Sequence, residues 1–323
     1  MNDRFDVVAL GELLIDFTES GVSPQGNPLY EANPGGAPCN VLAMLGKLGT
    51  RTAFIGKVGA DAFGASLRKT CEDAGICMDH LTVDPGHHTT LAFVHTAANG
   101  DRSFSFARNP GADQMLTAED IPEQLIAESK IFHFGTLSLT HEPARAATQK
   151  AVKIAKRNGV TVSFDPNLRP PLWDRPEEAR EQIEWGLAQS DVVKIADDEL
   201  LFLTGETDFD RGAAIVRERF PNIRLLNVTA GAEGSYSYCG SHRVFQPSFR
   251  LGGTIETTGA GDTFCACVLH FVLAHGLEAL AEADLREMLR HANAAAYLVT
   301  TKKGAIRSMP DPSDVDNILR NNL

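Results

Sequence analysis

A glycine-rich turn late in the chain carries the side chain best suited to do chemistry. Residues 256–264 have the sequence ETTGAGDTF, and an apolar stretch follows them through His275. This pattern predicts a helix that begins near Asp262. The glycines leave backbone N–H groups unobstructed, and a helix N-terminus attracts anions through its unpaired donors. An aspartate at such an anion hole can accept the proton of an attacking hydroxyl, which is the general-base role in phosphoryl transfer.

Three other interpretations of this turn compete with an anion hole. Asp262 could equally be a plain helix N-cap, because aspartate is one of the residues preferred there. A dinucleotide-binding loop is rejected, since its fingerprint requires Gly or Ala where Phe264 stands and belongs in the first β-α turn. A P-loop is excluded because neither GxxxxGKS nor GxxxxGKT occurs in the chain. From the residues alone, an anion hole without a Walker motif and a simple cap both remain.

The rest of the chain supplies the elements that must hold this turn in place. Short β-rich apolar runs alternate with stretches of helical spacing, such as residues 40–48, 62–74 and 142–158. The predicted strands cover residues 5–10, 52–55, 130–134, 160–165, 191–195 and 223–229. Repeated β-α units predict an α/β fold with a doubly wound, mostly parallel sheet and helices on both faces. We expect a single domain over residues 1–323.

One segment breaks this rhythm. Residues 89–107 form two alternating runs joined at Asn99-Gly100, the dipeptide most typical of a tight hairpin. A second irregular segment, residues 17–33, is polar and rich in Gly and Pro. Together they predict a small β-sheet lid, formed by about residues 13–34 and 88–110. An ordinary surface hairpin is an equal alternative on the local sequence.

Composition limits the classes of function. Of the 323 residues, 43% are hydrophobic and 22% are charged, and a formal net charge of −12 argues against a nucleic-acid-binding surface. The six cysteines show no CxxC spacing, which favours small buried thiols over a zinc site or disulfides. No run approaches the ~18 apolar residues of a membrane span, and no signal-peptide pattern opens the chain. We expect a cytoplasmic protein with a small-molecule substrate and no nucleic-acid or membrane partner.

A second glycine-rich segment, GGAPCN at residues 35–40, opens the first predicted helix as GAGD opens a late one. Together with GELLIDF, RNPGAD, DPNLRPPLW, NVTAGAEGS and KKGAI, this pair resembles the ribokinase-like (PfkB) family of carbohydrate kinases over nearly the whole chain. GGAP, RNPGAD and DPNLRPPLW are most similar to fructokinases. The resemblance implies a ribokinase-like fold and transfer of the γ-phosphate of ATP to the primary hydroxyl of D-fructose, which gives fructose 6-phosphate.

The resemblance also assigns roles to individual residues. Asp262 would be the general base, and the anion hole would consist of the N–H groups of Gly259, Ala260 and Gly261. The residues expected at the sugar are Asp16, Gly35, Gly36, Asn40, Phe104, Phe106, Arg108 and Arg169. Those expected at ATP are Lys194, Glu199, Thr229, Gly231, Gly234 and Asn293. Phe104 and Phe106 alternate on the predicted lid and so share one face, where they would cover the sugar, form the lid core or contact a second subunit.

The same resemblance indicates a binding loop for a monovalent cation and an oligomeric state. Family members usually carry Asp where this chain has Glu256, in a loop that binds a monovalent cation with backbone carbonyls. The residues of that loop would be Glu256, Thr258, Val299, Lys302, Gly304 and Ser308. Because Glu is one methylene longer than Asp, potassium (K⁺) activation stays open. Mg²⁺ (Mg2+) is expected on the phosphates of ATP, held by phosphates and water, and a homodimer is expected through the lid.

Other functions remain open on the sequence. The 2-keto-3-deoxygluconate kinases share much of the pattern, and their carboxylate substrate would make Arg108 and Arg169 more important than a neutral ketose does. Another sugar or nucleoside kinase of the family is compatible with the same turn. A non-catalytic sugar or nucleotide sensor on this fold is disfavoured because Asp262 and the GAG turn are intact.

Overall fold

Short strands and intervening helices make up the fold. The computed structural model describes residues 5–96 and 102–322, without the side chains of residues 95, 96 and 102–104. The strands are β1 (Val7–Leu10), β2 (Leu14–Val22), β3 (Pro28–Gly35), β4 (Thr52–Gly59), β5 (Ile76–Asp84), β6 (Leu91–Thr96), β7 (Arg102–Ala107), β8 (Ile131–Gly135), β9 (Thr161–Asp165), β10 (Val192–Ala196), β11 (Leu225–Thr229), β12 (Gly234–Cys239) and β13 (His242–Pro247). The α-helices are α1 (Ala37–Lys47), α2 (Ala62–Asp73), α3 (Glu123–Ala127), α4 (Ala144–Arg157), α5 (Pro176–Gln189), α6 (Asp197–Thr204), α7 (Phe209–Arg219), α8 (Ala260–His275), α9 (Glu282–Val299) and α10 (Pro312–Asn321). In the part of the chain that the structure describes, no helix is long and apolar enough to cross a membrane.

The main sheet has nine strands within the described residues, in the order β13-β12-β11-β10-β9-β8-β1-β4-β5. Its strands pair in parallel except at one edge, where β12 is antiparallel to both β11 and β13. Strand β1 lies between β4 and β8, so the chain winds outward from β1 in both directions. The expected doubly wound, mostly parallel α/β sheet is therefore confirmed.

Each face of the main sheet packs against its own layer of helices. Along β1, Val7 and Ala9 belong to the core that includes α1, α8 and α9, whereas Val8 and Leu10 belong to the core that includes α4, α5 and α7. All four side chains are fully buried. A strand that is covered on both faces favours apolar residues at successive positions, which explains the continuous apolar run Val7–Leu10.

A second, smaller sheet is built from the two segments that break the β-α rhythm. Its order is β3-β2-β6-β7 within the described residues. Strands β2 and β3 pair antiparallel, as do β6 and β7, and β2 joins the two hairpins by pairing in parallel with β6. The Asn99-Gly100 turn predicted between β6 and β7 lies outside the described residues. The strands on either side of it pair antiparallel, with Thr96 opposite Arg102.

Candidate active site

A cavity of about 440 Å³ lies between the small sheet and the carboxyl ends of the main strands. The small sheet contributes Leu14, Asp16, Val94 and Phe106 to its wall. The opposite wall includes Glu12, Gly36, Ala37, Asn40, Asn167, Arg169, Lys194, Glu199, Gly259, Gly261 and Asp262. Open α/β sheets bind their ligands at this position, outside the carboxyl ends of the strands where the strand order reverses.

A second cavity, of about 510 Å³, adjoins the first. The two have four wall residues in common, namely Thr229, Gly231, Thr257 and Gly261. The second cavity is more apolar, with the aromatic side chains of Phe249, Phe264 and Tyr297 in its wall. A polar compartment and an aromatic compartment therefore meet at the glycine-rich turn.

The turn at residues 257–261 ends in the N-terminus of α8, as the sequence indicates. Helix α8 begins at Ala260, and its N-cap is Gly259, with φ of 80°. A Cβ atom on Gly259 would lie 2.8 Å from the Cβ of Ala305, so the position requires glycine. The interpretation of Asp262 as the N-cap is wrong, because Asp262 is the third residue of the helix. Gly261 and Asp262 line the cavity, so the start of α8, where N–H groups have no partners inside the helix, forms part of its wall. The N–H of Ala260, which was expected in the anion hole, donates instead to the carbonyl of Thr257 at 3.3 Å.

Asp262 is buried and makes one hydrogen bond that fixes its carboxylate. The side-chain Nδ2 of Asn40 donates to Oδ2 of Asp262 at 2.7 Å. Burial raises the pKa of Asp262 to about 6, and the nearby charge of Asp165 raises it as well. The bond from Asn40 and the positive charges of Lys194 and Arg169 act in the opposite direction. Asp262 is therefore charged at neutral pH, and its pKa lies close enough to neutral pH for the carboxylate to accept a proton.

Lys194 places a positive charge beside the same turn. It stands on β10, is 7% exposed, and its Nζ lies 3.2 Å from both carboxylate oxygens of Asp165 at the end of β9. A Cβ atom on Gly261 would lie 3.2 Å from this Nζ, so the ammonium group lies against the glycine-rich turn. Burial alone would lower the pKa of Lys194, but the carboxylates of Asp165, Glu199 and Asp262 outweigh it and raise the pKa. Lys194 therefore stays charged.

Glu199 lines the cavity, yet both of its carboxylate oxygens already accept backbone N–H groups. Oε1 accepts from Leu168 and Oε2 from Ala196, each at 2.7 Å. Burial raises the pKa of this carboxyl group, and the charge of Lys194 lowers it. Glu199 thus ties the turn that follows β9 to the start of α6. Its contacts are those of a residue that shapes this part of the cavity wall.

Two carboxylates and two glycines set the end of the cavity where a sugar was expected. A Cβ atom on Gly35 would lie 2.4 Å from Oδ2 of Asp16, and one on Gly36 would lie 2.5 Å from the backbone oxygen of Glu12. The glycines therefore allow both acidic residues to approach the start of α1. Burial raises the pKa of Asp16 to about 7. Glu12, which the sequence analysis did not single out, is 3% exposed, lines the cavity and accepts the Ala37 N–H at 2.8 Å.

Arg108 does not lie where a sugar-binding residue was expected. Its side chain is 1% exposed and pairs with Asp113 at 2.7 Å. Its other donors reach Oγ1 of Thr140 and the carbonyl oxygen of Leu137. The guanidinium group is absent from the cavity wall because it is held in this buried network. The other expected arginine, Arg169, does line the cavity.

Of the two phenylalanines expected at the sugar, the structure describes the side chain of one. Phe106 lines the cavity, as expected of a residue that covers a sugar. The side chain of Phe104 lies outside the described residues.

Four of the six residues expected at the nucleotide line the second cavity, whereas Lys194 and Glu199 line the first. Thr229, Gly231, Gly234 and Asn293 all belong to the wall of the second cavity. The amide of Asn293 is occupied by protein contacts, since Nδ2 donates to the carbonyls of Gln246 and Pro247 and Oδ1 accepts from Ser235. Asn293 therefore fixes the end of β13 against α9 and shapes this wall.

The loop expected to hold a monovalent cation is tied to the glycine-rich turn by Glu256. The carboxylate of Glu256 accepts the Thr258 hydroxyl and the Gly304 N–H, the latter at 3.2 Å. The carbonyl oxygen of Val299 accepts the N–H of Lys302, and the Ser308 hydroxyl donates to the carbonyl of Lys303. The longer glutamate thus reaches the loop through direct hydrogen bonds. The six expected residues do lie in one region, around residues 256–258 and 299–308.

Comparisons with known proteins agree with this geometry. A model of the pfkB family carbohydrate kinases matches residues 4–312. The chain is 42% identical over 318 residues to a probable fructokinase-4 of Arabidopsis thaliana, with 98% of this chain and 97% of the relative covered. A fructokinase of Xylella fastidiosa solved with bound ATP has a TM-score of 0.88 at 29% identity, with 98% of each chain covered. A fructokinase double mutant of Vibrio cholerae O395, solved with fructose, ADP and a potassium ion, has a TM-score of 0.87 at 32% identity, covering 99% of this chain and 100% of that one. The resemblance found in the sequence motifs is confirmed, and the chain belongs to the pfkB family of carbohydrate kinases.

Proposed function

We propose that this chain transfers the γ-phosphate of ATP to the C6 hydroxyl of D-fructose, which gives fructose 6-phosphate and ADP. The observation that carries the proposal is the position of Asp262. Its carboxylate, the first N–H groups of α8 and the ammonium group of Lys194 converge where the two cavities meet. The relatives support the choice of reactants, since one is solved with ATP and another with fructose and ADP.

The geometry suggests how the reaction would proceed. Fructose would occupy the cavity near Asp16 and Asn40, and ATP would lie along Thr229 and Gly231 with its γ-phosphate at the turn. The carboxylate of Asp262 would take the proton of the C6 hydroxyl as that oxygen attacks in line. The α8 N–H groups and Lys194 would stabilise the charge that develops on the phosphoryl oxygens.

The proposed reaction involves Mg²⁺ and, as a candidate, K⁺. When ATP is bound, Mg²⁺ neutralises negative charge on its phosphates. Among residues 5–96 and 102–322, no group of three or more His, Cys, Asp or Glu side chains could hold a metal ion. We therefore expect phosphates and water to hold Mg²⁺. For potassium, the candidate loop around Glu256 stays a proposal, supported by a relative solved with that ion.

We also propose that the small sheet is a lid and a dimer contact. Val94 and Phe106 face the cavity, so this sheet would exclude water from the reaction. Elsewhere on the same sheet, Val22 and Leu29 are 69% and 46% exposed. Exposed apolar residues on a sheet with free edges favour pairing with a second copy. We propose separately that the protein is cytoplasmic.

The charge at the sugar end favours a neutral ketose over a sugar acid. Glu12, Asp16 and Asp262 surround this end, and of the two arginines expected there only Arg169 lines the cavity. Arg108 is held by Asp113 and is not available to a substrate carboxylate. A substrate such as 2-keto-3-deoxygluconate would bring its carboxylate to a wall with three acidic side chains, where Arg169 is the expected arginine that could pair with it.

Coupled ADP release across a panel of acceptors tests the proposed substrate. Fructose, 2-keto-3-deoxygluconate, tagatose, ribose and adenosine would each be supplied with ATP and Mg²⁺. We expect the highest kcat/KM for fructose. Turnover of the keto acid alone would keep the chemistry and overturn the substrate. Binding of sugar or ATP without any turnover would favour a sensor.

The rate is expected to fall in acid because the general base becomes protonated. The pKa of Asp262 is raised to about 6, so its proton-accepting form is lost as the pH falls through that value. We expect kcat/KM for fructose to decrease about tenfold per pH unit below about pH 6. Steady-state rates between pH 5 and 8 would measure this, with thermal unfolding at each pH as the control for loss of structure. A folded enzyme with a flat profile down to pH 5 would contradict the assignment.

A further inference from the structure

Asn40 contacts the proposed base directly and is itself incompletely paired. It is 4% exposed, lines the cavity, and donates from Nδ2 to Oδ2 of Asp262 at 2.7 Å. Its other polar atom, Oδ1, is buried and has no hydrogen-bond partner in the part of the chain that the structure describes. A buried amide oxygen without a partner is unfavourable unless a ligand supplies a donor. The amide therefore has one side committed to Asp262 and one side free for a bound molecule.

The start of α1 holds this amide in place. Asn40 is the fourth residue of α1, and its backbone N–H donates to the carbonyl of Gly36 at 2.9 Å. One turn earlier, the carboxylate of Glu12 accepts the N–H of Ala37 at 2.8 Å. Gly36 has φ of 125°, and a side chain there would strike the backbone of Glu12. The helix start is thus fixed against the segment that follows β1, which holds the backbone of Asn40 in place beside Asp262.

The contact gives the two oxygens of Asp262 different surroundings. Oδ2 accepts the Asn40 amide, so Oδ1 is the oxygen that we assign to the attacking hydroxyl. A hydrogen bond to the charged form of a carboxylate also stabilises that form. The same amide that orients the base thus keeps it ready to accept a proton.

We propose that Asn40 is a positioning residue for Asp262 that also binds the acceptor. Its Nδ2 would hold Oδ2 of the carboxylate so that Oδ1 faces the attacking hydroxyl, and its Oδ1 would accept a hydrogen bond from a second hydroxyl of the sugar. One side chain would then align both reacting groups. This goes beyond the sugar contact that the family resemblance implies, and it rests on the proposed kinase function.

Two substitutions separate positioning from sugar binding. Asn40→Leu keeps a similar size but removes both the donor and the acceptor. We expect kcat to fall about 10- to 100-fold and the acid limb of the kcat–pH profile to move up by about one pH unit, because the charged form of Asp262 loses its donor. Asn40→Asp also keeps the size and places a like charge beside Asp262, so the limb should move up further. The KM for ATP should stay within about twofold in both.

A matched change elsewhere controls for the substitution itself. Asn317→Leu makes the same replacement on exposed α10, and we expect wild-type kinetics. A role in sugar binding alone would raise the KM for fructose and leave kcat and the acid limb unmoved. That outcome would overturn the proposal.

A measurement without substrate keeps this test separate from the proposed function. The carboxyl group of Asp262 can be titrated by ¹³C NMR of aspartate-labelled protein, with its signal assigned by its loss in Asp262→Asn. We expect an upward shift of the pKa in Asn40→Leu and a larger one in Asn40→Asp. If wild type phosphorylates no sugar but the pKa shifts, the proposed function fails and the positioning role stands. If the pKa does not shift, the positioning role fails whatever the enzyme phosphorylates. Should Asn40→Leu not fold, Asn40→Asp alone decides.

Discussion

Asp262→Asn is expected to lower kcat by roughly 10²–10⁴-fold while leaving the fold and ATP binding intact. Asparagine has nearly the same shape, so α8 and its N–H groups should keep their positions. An amide, however, cannot accept the proton of the attacking hydroxyl. Only the general-base step should therefore be lost. The second cavity, where we expect the nucleotide, is lined by Gly261 and Thr257 and should keep its shape.

Calorimetric titration with ATP and steady-state rates with fructose measure these two outcomes separately. Asp316→Asn, on the exposed surface of α10, makes the same change in charge outside both cavities of the candidate active site and should keep wild-type kcat. If Asp262→Asn retained more than about a tenth of wild-type kcat, another group would have to serve as the base.

Asp113→Ala is expected to destabilise the protein by roughly 3–5 kcal/mol. The side chains of Arg108 and Asp113 are 1% and 2% exposed, and removing one partner leaves the other charge buried without compensation. Asp113 also accepts the Thr90 hydroxyl at 2.5 Å, so the change breaks the network at a second point. This network joins the end of β7 to the segment after β8, through the carbonyl of Leu137.

Urea denaturation gives the free energy of unfolding for this comparison. The surface pair Lys69–Asp73, with side chains 74% and 61% exposed, supplies the control. Asp73→Ala should cost no more than about 1 kcal/mol. Replacing both buried partners, as Arg108→Met with Asp113→Leu, should restore part of the stability lost in the single variant, because no buried charge remains. Equal effects of Asp113→Ala and Asp73→Ala would contradict the buried-charge account.

The main sheet could be predicted because its strands carry a strong local signal. A strand buried on both faces is a short apolar run, and residues 160–165 and 191–195 correspond to β9 and β10 within one residue. The prediction of α1 at residues 40–48 began three residues late, since Pro38 lies in its first turn, where proline is tolerated. Strands β5, β12 and β13 of the main sheet were not predicted. In β12, the polar residues Ser235 and Ser237 are fully buried while Tyr236 is only partly buried, which reverses the usual placement of polar and apolar side chains.

The site could be predicted only where a motif identifies it. The turn at residues 257–262 is local, and its chemistry follows from its sequence. The contact between Asn40 and Asp262 joins positions 222 residues apart, and no local pattern encodes it. The expectation that Arg108 lies at the sugar failed because a strand pattern does not reveal which side chains pair. Asp113, five residues later, pairs with the Arg108 side chain in the interior.

Two acidic residues of the cavity region were missed for a different reason. Glu12 and Asp165 each lie at or just after the carboxyl end of a strand in the main sheet. A carboxylate at that position is directed towards the ligand-binding edge of a parallel sheet. This signal was present in the sequence and could have identified both. Asp165 matters because it pairs with Lys194, and Glu12 because it fixes the start of α1.

The most direct test of the central claim is to identify the product of the reaction by NMR. The protein would be incubated with ATP, Mg²⁺ and fructose labelled with ¹³C at C6, in parallel with Asp262→Asn. We predict a ³¹P signal coupled to the labelled carbon, formed together with ADP and lost in the variant. Phosphate on another carbon, or no sugar phosphate from an enzyme that still binds ATP, would contradict the account.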